Sequence, residues 1–312
     1  MRVLVTGGAG FVGSNISREA SRRGFEVRAL DNLTLGSMDN LAGINNLEFI
    51  KGDVMDEEVV KRAMKDIDYV FHQAAASSSP MFVPDPRKGI NINLEGFQNV
   101  LELAAQNNVK KVVYAMTSSS YGNMPVPWKE SELTLNSNPS AYAYSLYARS
   151  FLAKLYSEQR KLATTGLVYF SIYGPFEQAK GRFANVASQF LWAMKMGDRP
   201  VVYGDGSQAR DYVHVSDVVE ANFLASTSKS TGDFFNVGTG REISMIQTVE
   251  ILNKIMGTKI EPLFVPNPIA GYCYRTLADT AKTEKVLGFK AKIKLEDGLR
   301  SAIQFYGDRE KK

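Results

Sequence analysis

Short apolar runs alternate with amphipathic stretches through the first half of this chain. Val3-Leu4-Val5, Glu26-Val27-Arg28-Ala29-Leu30, Leu47-Glu48-Phe49-Ile50, Tyr69-Val70-Phe71 and Lys111-Val112-Val113-Tyr114 are short runs with β-branched or aromatic residues, which predicts strands. Between them, apolar residues recur at three- and four-residue intervals: Val59, Val60, Ala63 and Met64, then Leu94, Phe97, Val100, Leu101 and Ala104. That spacing puts each set on one helical face. Parallel strands need a crossover between them, so the alternation predicts a parallel sheet with helices on both faces. Ala141 to Gln159 reads as one long helix, apolar or aromatic on several sides. Such a helix belongs in an interface rather than in solvent.

Beyond about Leu167 the pattern breaks into shorter pieces, separated by Gly-Pro, Gly-Asp-Gly and Pro-Asn-Pro turns. Phe190, Leu191 and Met194 share a helix face, and Thr248 to Met256 reads as a helix stopped by Gly257. Phe234-Phe235-Asn236-Val237-Gly238 has the composition of a late strand able to rejoin the first sheet. With no repeat or linker between the halves, the expected organisation is one domain over residues 1–166, rejoined by a strand near 233–238. A smaller interleaved lobe then spans mainly residues 167–312.

The length of 312 residues suits two lobes. Thirty-seven basic against 33 acidic residues leave a net charge of +4, scattered rather than clustered, which gives nucleic-acid binding no support. The one cysteine, Cys273, excludes an intramolecular disulfide and a cysteine-based zinc site, and suits a reducing compartment. No apolar run approaches the ~20 residues of a membrane span. Met1-Arg2 leads into a strand-like run rather than a signal peptide. A soluble, cytoplasmic protein with no metal and no membrane partner is expected. The two histidines, His72 and His214, lie near no obvious serine or cysteine partner, which argues against a hydrolase triad.

The first chemical signal is Thr6-Gly7-Gly8-Ala9-Gly10-Phe11-Val12-Gly13, a glycine loop between the first strand and a helix. Glycines at 7, 10 and 13 let backbone approach a pyrophosphate, which free amides and the helix dipole then stabilise. About twenty residues on, Asp31 ends the second strand, where a carboxylate can accept the hydroxyls of an adenosine ribose and repel a 2′-phosphate. This combination points to NAD. Asp53 follows the third strand and has two readings, a hydrogen bond to adenine or a cap for a helix beginning near Asp56. Ala74-Ala75-Ala76 supplies small residues beside the expected cofactor, and His72 reads as a packed structural histidine.

Together with further landmarks, these residues resemble the extended short-chain dehydrogenase/reductase family, especially nucleotide-sugar 4-epimerases and dehydratases. The landmarks are Asp31-Asn32-Leu33, Gly52-Asp53-Val54, Phe71-His72-Gln73-Ala74-Ala75, Asn93-Leu94-Glu95-Gly96 and Thr117 through Gly122. Pro139-Ser140-Ala141-Tyr142-Ala143, Tyr173-Gly174-Pro175, and Gly204-Asp205-Gly206 leading to Arg210-Asp211-Tyr212 follow in order. The resemblance implies an α/β fold: a Rossmann-type doubly wound parallel sheet with a smaller interleaved substrate-binding lobe. It implies bound NAD that takes a hydride from a sugar, usually at C4, and usually returns it. Cofactor contacts would come from Gly7, Gly10, Phe11, Val12, Gly13, Asp31, Asn32, Asp53, Val54, Ala74, Ala75, Asn93 and Tyr142.

The family's catalytic tyrosine falls on Tyr142 and its hydroxyl partner on Thr117. The family motif Tyr-x-x-x-Lys breaks at Leu146, which can neither bind ribose nor favour tyrosinate. Arg149, on the same helix face, is roughly 10 Å away by helix rise and reads as an awkward substitute. On the substrate side, Ser119 and Ser171 are candidate sugar contacts. Asn185, Val186, Val201 and Tyr203 align with uridine- and phosphate-pocket positions. Arg210 would grip the pyrophosphate, or else pair with Asp211 or Asp217. The family's late Arg-Pro-Gly-Asp is Ile269-Ala270-Gly271-Tyr272 here. The leading expectation is a homodimeric UDP-glucose or UDP-N-acetylglucosamine 4-epimerase, dimerising through roughly Ile90–Gln106 and Ala141–Gln159. Nucleotide-sugar dehydration and a catalytically silent NAD-binding protein are the alternatives.

Overall fold

The computed structural model describes residues 1–134, 140–267 and 272–309. In chain order its first six strands are β1 (Arg2–Thr6), β2 (Glu26–Asp31), β3 (Leu47–Lys51), β4 (Tyr69–His72), β5 (Lys111–Thr117) and β6 (Thr164–Tyr169). Three short ones follow, β7 (Ser171–Tyr173), β8 (Val201–Tyr203) and β9 (Ala209–Arg210), then β10 (Tyr212–His214), β11 (Asp233–Val237), β12 (Ile243–Ser244) and β13 (Leu263–Val265). The main sheet has seven parallel strands in the order β11-β6-β5-β4-β1-β2-β3. Progression reverses between β1 and β4. In a doubly wound sheet that reversal opens a crevice at the carboxyl ends of the strands.

Alternation along the strands divides the core. Leu4, Leu30, Val70, Val112 and Val168 face one way, toward α2 (Glu57–Met64), α3 (Pro86–Gln106) and α4 (Ala141–Gln159). Val3, Val5, Val27, Phe71, Val113 and Leu167 face the other, toward α1 (Phe11–Arg22) and α6 (Val215–Thr227). Of the helical faces read from periodicity, Val60, Ala63, Met64, Phe97, Val100, Leu101 and Ala104 are buried, while Val59 and Leu94 are half-buried at the edge. α3 starts at Pro86, ahead of the apolar pattern, because Asp85 caps it and proline fits its first turn.

The remaining helices are α5 (Val186–Lys195), α7 (Met245–Met256), α8 (Ala281–Leu287) and α9 (Leu295–Arg309). Phe190, Leu191, Val249, Leu252 and Leu299 from α5, α7 and α9 form the core of the second lobe. α7 begins three residues before the sequence pattern suggests, because Ser244 and Gln247 cap each other's backbone amides. α6 is hidden in the sequence: its valines resemble a strand, but burial on several sides removes any amphipathic signature. After passing through the lobe, the chain returns to add β11 beside β6. Among the described residues no helix is long and apolar enough to cross a membrane.

Candidate active site

The crevice predicted by the strand order is a cleft of about 390 Å3. One wall is the glycine loop. Gly7 has φ +65°, and a Cβ there would meet the backbone of Ala74 at 2.8 Å, so the turn demands glycine twice over. A Cβ on Gly13 would fall inside the Gly7 carbonyl. Gly10 differs, since its Cβ would have one near neighbour, the Gly7 oxygen at 3.1 Å. No side chain caps α1 and its first turn carries no acid, which leaves its amide end available to an anion.

Asp31 closes the far side of this loop. Its carboxylate accepts from Ala9 N at 3.0 Å and from Leu33 N at 2.7 Å. Burial raises its pKa while those amides oppose the shift. Asp31 therefore positions the loop as well as lining the cleft, a role the sequence did not suggest. Asp56, rather than Asp53, caps α2. Asp53 lines the cleft, accepting from Asn32 Nδ2 at 2.8 Å and Met55 N at 3.0 Å.

At the other end of the cleft, Thr117 at the end of β5 and Tyr142 in the first turn of α4 come together. Burial raises the Tyr142 pKa; a hydrogen bond from Thr117 and the positive charge of Arg149 pull it back. Leu146 lines the cleft one turn later and is nearly fully buried. Arg149 is completely buried. Helical side chains lean toward the helix N-terminus, so Arg149 reaches back along α4 and recovers part of the distance that the rise alone implied. Its guanidinium donates to the carbonyls of Asn93 (2.8 Å), Ala115 (3.2 Å) and Ala74 (2.9 Å). His72 is fully buried, with Nδ1 2.8 Å from Thr6 Oγ1, and burial holds its pKa well below 6.5.

Sixteen predicted positions line this cleft: Gly7, Gly10, Phe11, Val12, Gly13, Asp31, Asn32, Asp53, Val54, Ala74, Ala75, Thr117, Ser119, Tyr142, Ser171 and Asn185. Five do not. Asn93 sits behind the wall, bonding Ala76 at both its N–H (2.8 Å) and carbonyl (3.3 Å) and Ser145 Oγ at 2.9 Å. Val186 begins α5 just past Asn185, which caps that helix. Val201 is 48% exposed on β8, and Tyr203 pairs with Val265 at the end of the same strand. Arg210 lies on β9 with its guanidinium 5.1 Å from the Tyr272 ring centre. Among the described residues Arg210 pairs with neither proposed acid. Asp211 instead accepts from Thr239, Gly240 and Ala278, and Asp217 from the amides of Lys292 and Ile293. Pro139 and Ile269-Ala270-Gly271 lie outside the described residues.

A family model described as the NAD dependent epimerase/dehydratase family matches residues 3–238. The chain belongs to this family. A UDP-glucose 4-epimerase of Mycolicibacterium smegmatis is 32% identical over 310 residues, covering 98% of each chain. Among solved structures, a Thermotoga maritima UDP-glucose 4-epimerase with UDP-glucose superposes with TM-score 0.93 at 32% identity, over 99% of this chain and 100% of that one. A Methanobrevibacter ruminantium UDP-N-acetylglucosamine 4-epimerase in complex with UDP-N-acetylmuramic acid gives 0.92 at 32% identity, over 99% and 98%.

The protein is thus an NAD-dependent nucleotide-sugar epimerase or dehydratase. Its cleft fits NAD: the space beside Gly10 faces an uncapped helix end, and Asp31 stands at the end of the neighbouring strand. One basic residue on that wall escaped the sequence reading. Lys180 lines the cleft with Nζ 5.7 Å from the Phe11 ring centre and 3.4 Å from the buried Glu177 carboxylate. No local signal marks it, because Lys180 meets α1 only through the tertiary fold.

Proposed function

We propose that this enzyme is a UDP-hexose 4-epimerase, with UDP-glucose or its N-acetyl counterpart as substrate, acting in the cytoplasm. The observation that carries this reading is the chemistry of the cleft's two ends. Among the described residues that line it, the carboxylates are Asp31 and Asp53, both beside the glycine-loop wall. The Tyr142 end offers hydroxyls instead, from Thr117, Ser118, Ser119 and Ser171. Elimination of water from a 4-keto sugar calls for a base at C5 and an acid at the C6 hydroxyl. Thr117-Ser118-Ser119 stands where 4,6-dehydratases of the resembling family carry Thr-Asp-Glu, and serine supplies neither function. The two 4-epimerase structures described above support the same choice.

NAD, when bound, supplies the hydride acceptor and donor. Tyr142 as phenolate takes the proton of the C4 hydroxyl, and Thr117 holds that hydroxyl in line by sharing its hydrogen bond. The 4-keto sugar then presents its other face, and Tyr142 returns the proton as the C4 hydroxyl re-forms in inverted configuration. The hydroxyl-rich end of the cleft gives the keto sugar hydrogen-bond partners in either orientation. Incubation with UDP-glucose and UDP-N-acetylglucosamine, read by mass spectrometry and proton NMR, should show product of unchanged mass with C4 inverted. Loss of one water would replace this reading with dehydration. Unchanged sugars would leave a binding protein.

Dimerisation belongs to the same proposal. Tyr144, Phe151 and Leu155 are 40%, 54% and 43% exposed along one stripe of α4, whose other side packs on α3 and the sheet. An apolar stripe of that kind suits a bundle formed with a second copy. Light scattering should report a dimer, and Phe151→Glu should shift it toward monomer. A monomeric mass at every concentration of the parent protein would remove the dimer from the proposal.

A further inference from the structure

We propose that Arg149 performs the electrostatic half of the work for which the resembling family uses a lysine at position 146, acting as the fixed positive charge on the Tyr142 phenol. The inference rests on the reading of Tyr142 as the proton-transfer group.

Three observations carry it. First, the charge is enclosed: Arg149 has no exposed surface, and its three hydrogen bonds all go to backbone carbonyls, which balance a guanidinium only in part. Among the described residues no carboxylate pairs with it, so the part of its positive field that the carbonyls leave has no counter-ion. Second, the carbonyls that hold it belong to the cleft. Ala74 and Ala115 line the same cavity as Tyr142, and Asn93 fastens the adjoining Ala76 backbone. Third, the motif position is filled by Leu146, which lines the cleft nearly fully buried and brings no charge.

The surroundings leave few competitors. From β4, His72 is held neutral by burial, and from β5, Tyr114 is held protonated by burial. Asp233 acts on Tyr114 and not on Tyr142. Phe97 from α3 places its ring 5.3 Å from the guanidinium carbon, and Phe82 lies 5.8 Å from the Tyr142 ring; neither ionises. The titratable groups coupled to Arg149 are the two tyrosines, 142 and 114, which bear charge only when ionised. Burial lowers the guanidinium pKa, yet a guanidinium keeps its proton inside proteins, so Arg149 stays cationic across the range in which the phenol titrates. Arg149 is thus a positioning residue: it acts through Tyr142, and it does not replace the ribose contact that a lysine at 146 would make.

The test separates this role from that of a structural tie. The Tyr142 phenol is titrated by ultraviolet difference spectroscopy in the purified protein, subtracting Tyr142→Phe to isolate it among the chain's 14 tyrosines. The pH dependence of kcat is measured alongside. Arg149→Gln should raise the Tyr142 pKa by about one unit, a tenfold loss of phenolate at neutral pH, and move the rise of kcat with pH upward by the same amount. Arg149→Lys should hold both near their parental values. A folded Arg149→Gln with an unmoved phenol titration, and a rate loss uniform across pH, would overturn the inference. Should that variant not fold, Leu146→Lys decides the matter. Beside an existing guanidinium the new lysine sheds its proton and shifts Tyr142 by less than about half a unit, whereas a fall of about two units would mean no cation was acting before. Turnover surviving in Tyr142→Phe would sink the proton-transfer reading itself, whatever Arg149 does.

Discussion

Tyr142→Phe should lower turnover by about two to four orders of magnitude while leaving NAD bound. The substitution removes one oxygen from a ring that Phe82 helps to hold, so the ring and the cleft wall stay in place. In the proposed mechanism what disappears is the acceptor for the C4 hydroxyl proton, and Thr117 cannot replace it because a threonine hydroxyl ionises far above neutral pH. Stability should fall by only about 1 kcal/mol, the usual worth of a lost hydrogen bond. The checks are transient NADH absorbance on mixing with UDP-glucose and cofactor content of the purified protein. NADH formation at the parental rate would reassign the base.

Gly10→Leu should weaken NAD binding by about a hundredfold or more, equivalent to roughly 3 kcal/mol, with the fold intact. The reason lies in how the three glycines differ. Gly7 and Gly13 are pinned by backbone, so side chains there would break the turn itself. Gly10 meets one oxygen at 3.1 Å, so a Cβ fits after a small adjustment and the rest of a leucine fills the space in front of the α1 amides. That is the space a pyrophosphate needs. Calorimetric titration with NAD, beside a thermal melt for folding, reads both halves of the expectation. Parental affinity in a folded Gly10→Leu protein would move the cofactor site elsewhere.

Strand and helix periodicity in the first half, the glycine loop and Asp31 were legible in the sequence, because each is a local pattern or follows from the spacing of a strand-turn-helix-strand unit. The Thr117–Tyr142 pair was not: 25 residues separate the two, and only the family resemblance singled them out. The second lobe was less legible. α6 is buried on several sides and loses its amphipathic signature, and α7 starts at a capping box that precedes its apolar stripe. Val201, Tyr203 and Arg210 illustrate a different limit. Their motif positions could be aligned, but β8 and β9 belong to small two-stranded pieces of the lobe, and none of the three residues lines the cleft at the carboxyl ends of the main sheet.

The sequence by itself determined the parallel sheet and its dinucleotide loop, and through the family resemblance it marked Tyr142 and the leucine at position 146 where the motif has lysine. Only the tertiary structure decided what stands in the space around that tyrosine. Arg149 looked distant because helix rise measures Cα positions, whereas the buried side chain runs back along α4 to carbonyls supplied by α3, β5 and the segment after β4. Lys180 reaches the α1 end, and both cleft carboxylates gather at the glycine-loop wall, by the same kind of long-range convergence. Electrostatic fields add over distances in space. Where a charge acts is therefore settled by packing, and not by spacing along the chain.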